Sequence, residues 1–516
     1  MTLGHLLRAL QPPLRDPAPA GPPPLTPRLL LGLAGAWLAA LMALLNSRLV
    51  SFGLADLRGA LGVDTIDGTW LSVAYSMGEI AVVPLTPWLA GIFTGRRAIV
   101  AATLTLTGAG LVCSTQPGYQ VLLVSRFLQG LGGGALIPLL LMSLLRFLPL
   151  HQRAWGFAAY ACVTVLTPTI AETLDGWYTE ALTWKAIFWQ NLLLAPPACF
   201  LVLVGLPTEP VRLEAFRRGD YFALGTSAVG LAALVAALLQ GQNLDWFDSG
   251  TINGLFLLAG VMLAAFVVHE LRRPNPVIDL RLLRKPNFTL DLVLILGFNI
   301  ALLGPAYVLP QYAVQVQGYR EAQIGTILIW LALPQMLLAP LAALLLRVID
   351  ARLVLAFGFA LFVTGAGLTL RMTGEWVGAD LLPGLVIQGC AFPFVMTPLV
   401  FIATSSLQMQ DAPSGGALFN IVRSLAGSLA SAVVGAVITV RERVHDAVLL
   451  EHLGGGALAG TPAAEIAARA RNQAFVLACT DAYGLIGLAG LAALLVVLLI
   501  RETPRFPRPG AARSPA

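Results

Sequence analysis

Residues 120–147 read QVLLVSRFLQGLGGGALIPLLLMSLLRF, and this stretch decides the fold class. A helix rises about 1.5 Å per residue, so about 20 apolar residues cross the hydrocarbon core of a bilayer. This run is longer than that, and Arg126 and Arg146 are its only charges. Gly130, Gly132, Gly133 and Gly134 remove side chains from one segment, which weakens a soluble helix but in a membrane lets a neighbouring backbone approach closely. The stretch predicts a transmembrane helix packed among others.

Working outward, similar runs recur along the whole chain. With 57% hydrophobic and 11% charged residues in 516, and a mean hydropathy of +0.80, lipid must be part of the solvent. The runs predict spans at 28–54, 67–92, 97–114, 120–147, 153–174, 185–205, 219–241, 250–271, 287–310, 322–346, 351–371, 378–404, 413–440 and 474–500. That makes fourteen transmembrane helices in an all-α membrane protein. With the N-terminus inside and residues at span ends counted with the adjoining segments, 21 of the 32 lysines and arginines fall on the cytoplasmic side, 8 on the outer side and 3 deep within spans, so the bias places both the N and C termini in the cytosol.

An internal repeat divides the fourteen. PLTPWLAGIFTGRRAIV from Pro84 is echoed by PLAALLLRVIDARLVLA from Pro340, with Arg96 and Arg352 in register, and Gln129, Gly130 and Pro138 are echoed by Gln388, Gly389 and Pro398. Duplicated halves are a mark of transporters that rock one bundle against the other. The expected organisation is a Pro-rich disordered tail (1–27), an N-terminal six-helix bundle (28–205), two inserted helices with a cytosolic linker (206–286), a C-terminal six-helix bundle (287–500) and a cytosolic tail (501–516). Within the second bundle, 441–472 reads as a periplasmic hairpin of two polar helices around Gly454-Gly455-Gly456. It is either a plain connection or a docking surface for another protein.

Other function classes find no support. The excess positive charge is spread over short loops, which argues for membrane topology and against nucleic acid. The five cysteines lie singly in apolar stretches, so neither disulfides nor a zinc site is expected. The glycine triplet follows no strand and no Walker lysine is present. No Ser/His/Asp arrangement is discernible, so the chain is not read as an enzyme. His445 and His452 lack further ligands, and no metal or other cofactor is expected.

Charges inside spans are costly and therefore candidates for function. Glu79, in AYSMGEIAVVPL, reads as a proton carrier or as the buried ion partner of Arg48 in the preceding span, and both roles are compatible. Arg126 is a fixed cation able to bias a nearby carboxylate. Glu172, with Asp175, sits near the outer end of its span, where gating and proton transfer are equally open. Asp291 lies near the cytosolic start of its helix, where the dipole alone favours a carboxylate. Arg423, in FNIVRSLAGSLASAVVGA, is deep among small residues and suits a substrate cavity.

RFLQGLGGGALIP, GQNLDWFDSG (241–250), PNPVIDLRLLRKPNF (274–288), LPQYAVQVQGYREAQIG (309–325) and FNIVRSLAGS (419–428) together resemble the fourteen-helix drug/proton antiporter branch of the major facilitator superfamily. FGLADLRGALG and the outer hairpin look like the inner-membrane pump of Gram-negative tripartite efflux systems. The resemblance implies a major facilitator fold and secondary active, proton-driven efflux of drugs or amphipathic compounds across the bacterial inner membrane, and two buried arginines without a matching first-helix acid add organic acids to the expected substrates. The proton gradient takes the place of a cofactor. The implied partners are a small-molecule substrate, the bilayer, a periplasmic adaptor and an outer-membrane channel. Proton coupling falls to Glu79, Arg126 and Glu172. Asn46, Arg48, Arg423 and Asp291 fall to the substrate cavity, and Arg96, Arg97, Arg347, Asp350 and Arg352 to gating loops. Asn46 occupies the place of the family's usual first-helix aspartate, and AETLDG (171–176) that of its Gly-Pro-x-x-Gly-Gly. An importer or uniporter of the same superfamily, and a non-transporting scaffold or sensor, are the rival readings.

Overall fold

The structure is a computed structural model that describes residues 26–501 apart from 53–57, 60–61, 116–117, 218, 275, 406–410, 454–462 and most of 150–184. The first half contains α1 (Pro27–Phe52), α2 (Thr65–Val82), α3 (Thr86–Phe93), α4 (Gly95–Ser114), α5 (Tyr119–Phe147) and α6 (Ala186–Gly205). A short α7 (Leu213–Arg217) leads to the inserted pair α8 (Tyr221–Gln240) and α9 (Gly250–Arg272). The second half contains α10 (Pro286–Leu303), α11 (Leu309–Gln315), α12 (Glu321–Leu345), α13 (Ala351–Thr369), α14 (Gly378–Ser405), α15 (Ala412–Leu453) and α16 (Ala463–Val497). Among the described residues, twelve helices are long and apolar enough to cross a membrane, and α2 with α3 makes a thirteenth if that bent pair is one span. The expected span 153–174 lies outside the described residues except for scattered positions.

Two spans are bent or bulged by proline, and a third runs well past a bilayer's thickness. The span predicted at 67–92 bends by 60° between α2 and α3. Pro84 supplies no N–H there, and the chain turns through tighter bonds, Val83 N–H to the Ile80 carbonyl and Leu85 N–H to that of Val82. The span that starts at Pro286 passes through a π-helical turn at Gly304–Val308. Pro305 leaves the Ala301 carbonyl without its usual donor, and the wider turn accommodates the defect. Finally, α15 continues without interruption to Leu453, 42 residues in all. At 1.5 Å per residue that is about 63 Å, about twice the thickness of the hydrocarbon core. The polar return helix and the last span are likewise one helix, α16.

The two halves repeat the same pairings. In the first, α1 packs on α6, α2 on α5, and α4 on both α5 and α6; in the second, α10 packs on α16, α12 on α14, and α13 on both α14 and α16. The sequence echo has a direct counterpart in side-chain contacts. Arg96, at the start of α4, donates to Thr208 just after α6, and Arg352, at the start of α13, donates to the Ile500 carbonyl just after α16 at 3.3 Å. Each arginine therefore ties the third helix of its half to the end of the sixth. The inserted α8 packs on α2 of one half and α15 of the other. At its end, Gln240 donates to Thr69 at 3.0 Å, and Gln242, just beyond, donates to the Gly435 carbonyl at 3.2 Å.

Candidate functional site

The glycine run of α5 sets the geometry of the site. A methyl group at Gly130 would collide with the Tyr75 carbonyl oxygen, and one at Gly134 with that of Glu79; from the other side, one at Gly78 would collide with the Phe127 carbonyl. Gly132 meets α4 at Ala102 and Leu106, and Gly133 meets the Tyr75 hydroxyl. Backbone contact on this scale holds Glu79 at a fixed height against α5. In the second half, a methyl at Gly389 of α14 would collide with the Leu331 carbonyl of α12, so the repeat preserves this packing too. Gly134→Val is expected to force α2 from α5, lowering the melting temperature in detergent by overpacking worth about 1–3 kcal/mol or more. An unchanged melting curve would contradict the backbone contact.

Arg126 is 1% exposed. Its Nε donates to the Leu71 carbonyl at 3.2 Å, a terminal nitrogen donates to Gln129 Oε1 at 2.7 Å, and the guanidinium lies 4.7 Å from the centre of the Tyr75 ring. Tyr75 in turn donates its hydroxyl to the Ala43 carbonyl at 3.0 Å. These acceptors and the ring face offset the cost of burying the cation. Among the described residues no carboxylate forms an ion pair with it, so the expected acid neighbour is absent from that set. Glu172 and Asp175 lie outside the described residues.

Glu79 is half-buried, and the charges that act on its carboxylate are Arg423 of α15 and Arg48 of α1. Among the described residues no ion pair joins Glu79 to either guanidinium, so the expected contact with Arg48 of the adjacent span is a longer-range influence, and that of Arg423 comes from the opposite half of the molecule. Arg423 is half-buried with Nε unpartnered, whereas Arg48 is exposed. Two guanidiniums acting on one carboxylate leave the local charge net positive.

Two residues expected to line the cavity have no accessible surface in this conformation. Asn46 is fully buried and its Oδ1 accepts from Asn191 Nδ2 of α6 at 3.0 Å, so it links α1 to α6 within the first half. Asp291 is fully buried in α10, and neither carboxylate oxygen has a hydrogen-bond partner. Of the expected gating residues, Arg97 is exposed, Arg347 is half-buried, and Asp350 caps α13 while its Oδ2 pairs with Arg352 at 2.9 Å. The structure also reveals buried polar residues not singled out from sequence, namely Asn191 and Asn420, and it buries Gln388, which the repeat had marked. Their one signal is an amide within an apolar span, which simple packing also accommodates.

Known proteins place this arrangement. The Major Facilitator Superfamily profile matches residues 36–431. The chain is 31% identical to the fatty acid resistance protein FarB of Neisseria gonorrhoeae over 82% of this chain and 85% of that one. It is 28% identical to the multidrug export protein EmrB of Escherichia coli, over 80% and 81% respectively. Among solved structures, the proton:xylose symporter XylE superposes with a TM-score of 0.60 at 14% identity, covering 92% of this chain and 96% of that one. The human organic anion transporter MFSD10 gives 0.55 at 16% identity, covering 92% and 100%. With that profile match across most of its length, and two halves built on the same helix pairings, the chain belongs to the Major Facilitator Superfamily.

Proposed function

We propose that this protein exports amphipathic organic compounds, organic acids among them, across the bacterial inner membrane in exchange for protons. The observation that carries this reading is that Arg48 of its own half and Arg423 of the other both act on the Glu79 carboxylate, in a molecule whose halves must rock. Ionised, Glu79 draws α15 of one half toward α2 of the other; protonated, it releases them. The proton is taken up where the contact is broken and given up where it re-forms, so a cycle that carries substrate outward returns with a proton inward. Arg126 holds Tyr75, one turn before Glu79, through its ring contact, and Glu172 is the further acid assigned to coupling. The excess of arginine over carboxylate at the site favours an anionic head group. The names of FarB and EmrB, fatty acid resistance and multidrug export, agree with such substrates.

The charge bias supports cytosolic termini, which puts the long ends of α15 and α16 on the periplasmic side. The reach of α15, far beyond a bilayer's thickness, suits contact with a periplasmic adaptor and, through it, an outer-membrane channel.

Inside-out vesicles test the transport reading. Addition of an amphipathic acid to vesicles holding a proton gradient is expected to release protons, and a lipophilic cation to release fewer. No proton release with any of a panel of acids and cations would remove antiport; equal release by cations with Arg48→Ala unaffected would remove the preference for acids.

A further inference from the structure

We infer that Asp291 is a second proton-binding site, held in the C-terminal half and brought to water by rearrangement of the π-helical turn that ends α10. This inference rests on the proton-driven reading above and adds an acid that works apart from Glu79.

The side chain is fully buried and neither oxygen has a hydrogen-bond partner. Its own helix surrounds it with buried Phe288, Leu292, Leu294 and Ile295. The charged groups of every element packed against α10 are engaged elsewhere or placed far along their helices. Lys285 and Asp411, which precede α10 and α15, pair with each other at 2.8 Å. Arg281, in the turn before α10, donates to the Leu271 and Arg273 carbonyls, and Arg284 ends that turn. On α15, Arg423 acts on Glu79; the remaining charges of that helix begin at Arg441, which pairs with Asp481 of α16 at 2.5 Å together with His445. The other charges of α16, Glu465, Arg469 and Arg471, precede Asp481, and Arg501, just beyond that helix, meets Asn287 of α10 through its backbone. Asp380 is the charged residue of α14, in its first turn. Among the described residues no ion pair reaches Asp291.

An ionised carboxylate in such surroundings would carry a desolvation penalty of several kcal/mol. The group that removes the penalty without a ligand shell is a proton. A metal cation would need several oxygen ligands, and among the described residues no three His, Cys, Asp or Glu side chains gather to hold one. A buried acid that never meets water would be a cost without use, and α10 carries the means of exposure. A π turn holds one residue more than an α turn, so its conversion to α-helix would rotate the preceding segment by about 100°. That is enough to carry Asp291 from one helix face to the next. The surroundings of the turn are unsettled in the same sense. Gly304 lies against Tyr483 of α16 and Gln388 of α14, and the two amide atoms of Gln388 are buried and unpartnered.

Two measurements on the full-length protein decide the matter. In reconstituted vesicles, Asp291→Asn, which copies the neutral acid, is expected to reduce proton-driven transport by about a hundredfold while substrate exchange without a gradient continues. In wild-type protein, dicyclohexylcarbodiimide, which enters membranes and reacts with protonated carboxyls, is expected to modify Asp291, with labelling that falls as pH rises. Wild-type protein that moves protons alongside an unaltered Asp291→Asn variant would overturn the assignment and leave the exporter reading intact. Wild-type protein that moves no protons would remove the exporter reading, and the pH dependence of labelling would still judge Asp291 alone. Absence of labelling at every pH, or protection by sodium at fixed pH, would overturn it; labelling also serves if the asparagine variant fails to fold.

Discussion

Glu79→Gln is expected to leave a folded transporter that exchanges substrate across vesicles but no longer uses a proton gradient. Glutamine keeps the size and the acceptor oxygen of glutamate while removing both the charge and the titrating proton. Arg423 and Arg48 then lose the counter-charge they share, and the contact between α15 and α2 is held in its released state regardless of pH. Loss of a positioned proton-transfer group typically costs about 10²–10⁴-fold, and the loss belongs to the gradient-driven rate. Exchange of labelled for unlabelled substrate at equal pH should persist within a few-fold. Two measurements on one preparation are therefore enough: gradient-driven uptake and gradient-free exchange. If both fall together, Glu79 is structural; if neither falls, coupling lies elsewhere, and Asp291 and Glu172 become the acids to test.

The second large effect is expected at Arg126, and two substitutions separate its structural and functional parts. Arg126→Ala strands two buried acceptors, the Leu71 carbonyl and Gln129 Oε1, and empties the space against the Tyr75 ring. Each stranded acceptor costs about 1–3 kcal/mol, and the cavity adds to that. The variant should therefore melt well below the wild type or fail to fold. Arg126→Lys keeps the positive charge but not the planar fork or its stacking surface, so it cannot serve a carbonyl, an amide and a ring at once. Its fold should survive with a modest loss, and proton-driven transport should fall as Tyr75 and the backbone that carries Glu79 lose their support. A lysine variant with wild-type coupling would show that only the charge of Arg126 matters, and not its geometry.

Much of the architecture is legible in the residues themselves, because a bilayer judges them one at a time. A run such as 120–147 is apolar enough to leave water wherever its neighbours lie. The bend after Val82 has its local cause in Pro84, and the π turn in Pro305, since a missing N–H acts where it stands. The Arg96 and Arg352 echo predicts duplicated halves, and both arginines close the same helix pair in their halves. Arg126 stands out because glycines explain packing but not an arginine, and the glycines do pack as they read.

The partners are not legible in this way. Sequence order puts Arg48 in the span next to Glu79, while Arg423, far along the chain, acts on the same carboxylate because α15 packs against helices of the other half. Asn46 reads as a cavity residue in place of an acid, yet it is engaged with Asn191 between α1 and α6. Asp291 reads as a carboxylate content at a helix start, yet its side chain is fully buried within the bundle. The sequence by itself determined which segments enter the membrane, how they are duplicated and which charges go in with them, because transfer free energy and helix breaking are properties of the local chain. Only the tertiary structure decided which of those charges meet and which stay alone, because inside a low-dielectric protein a charge is governed by whatever lies within a few ångströms, and that is set by helices distant in sequence.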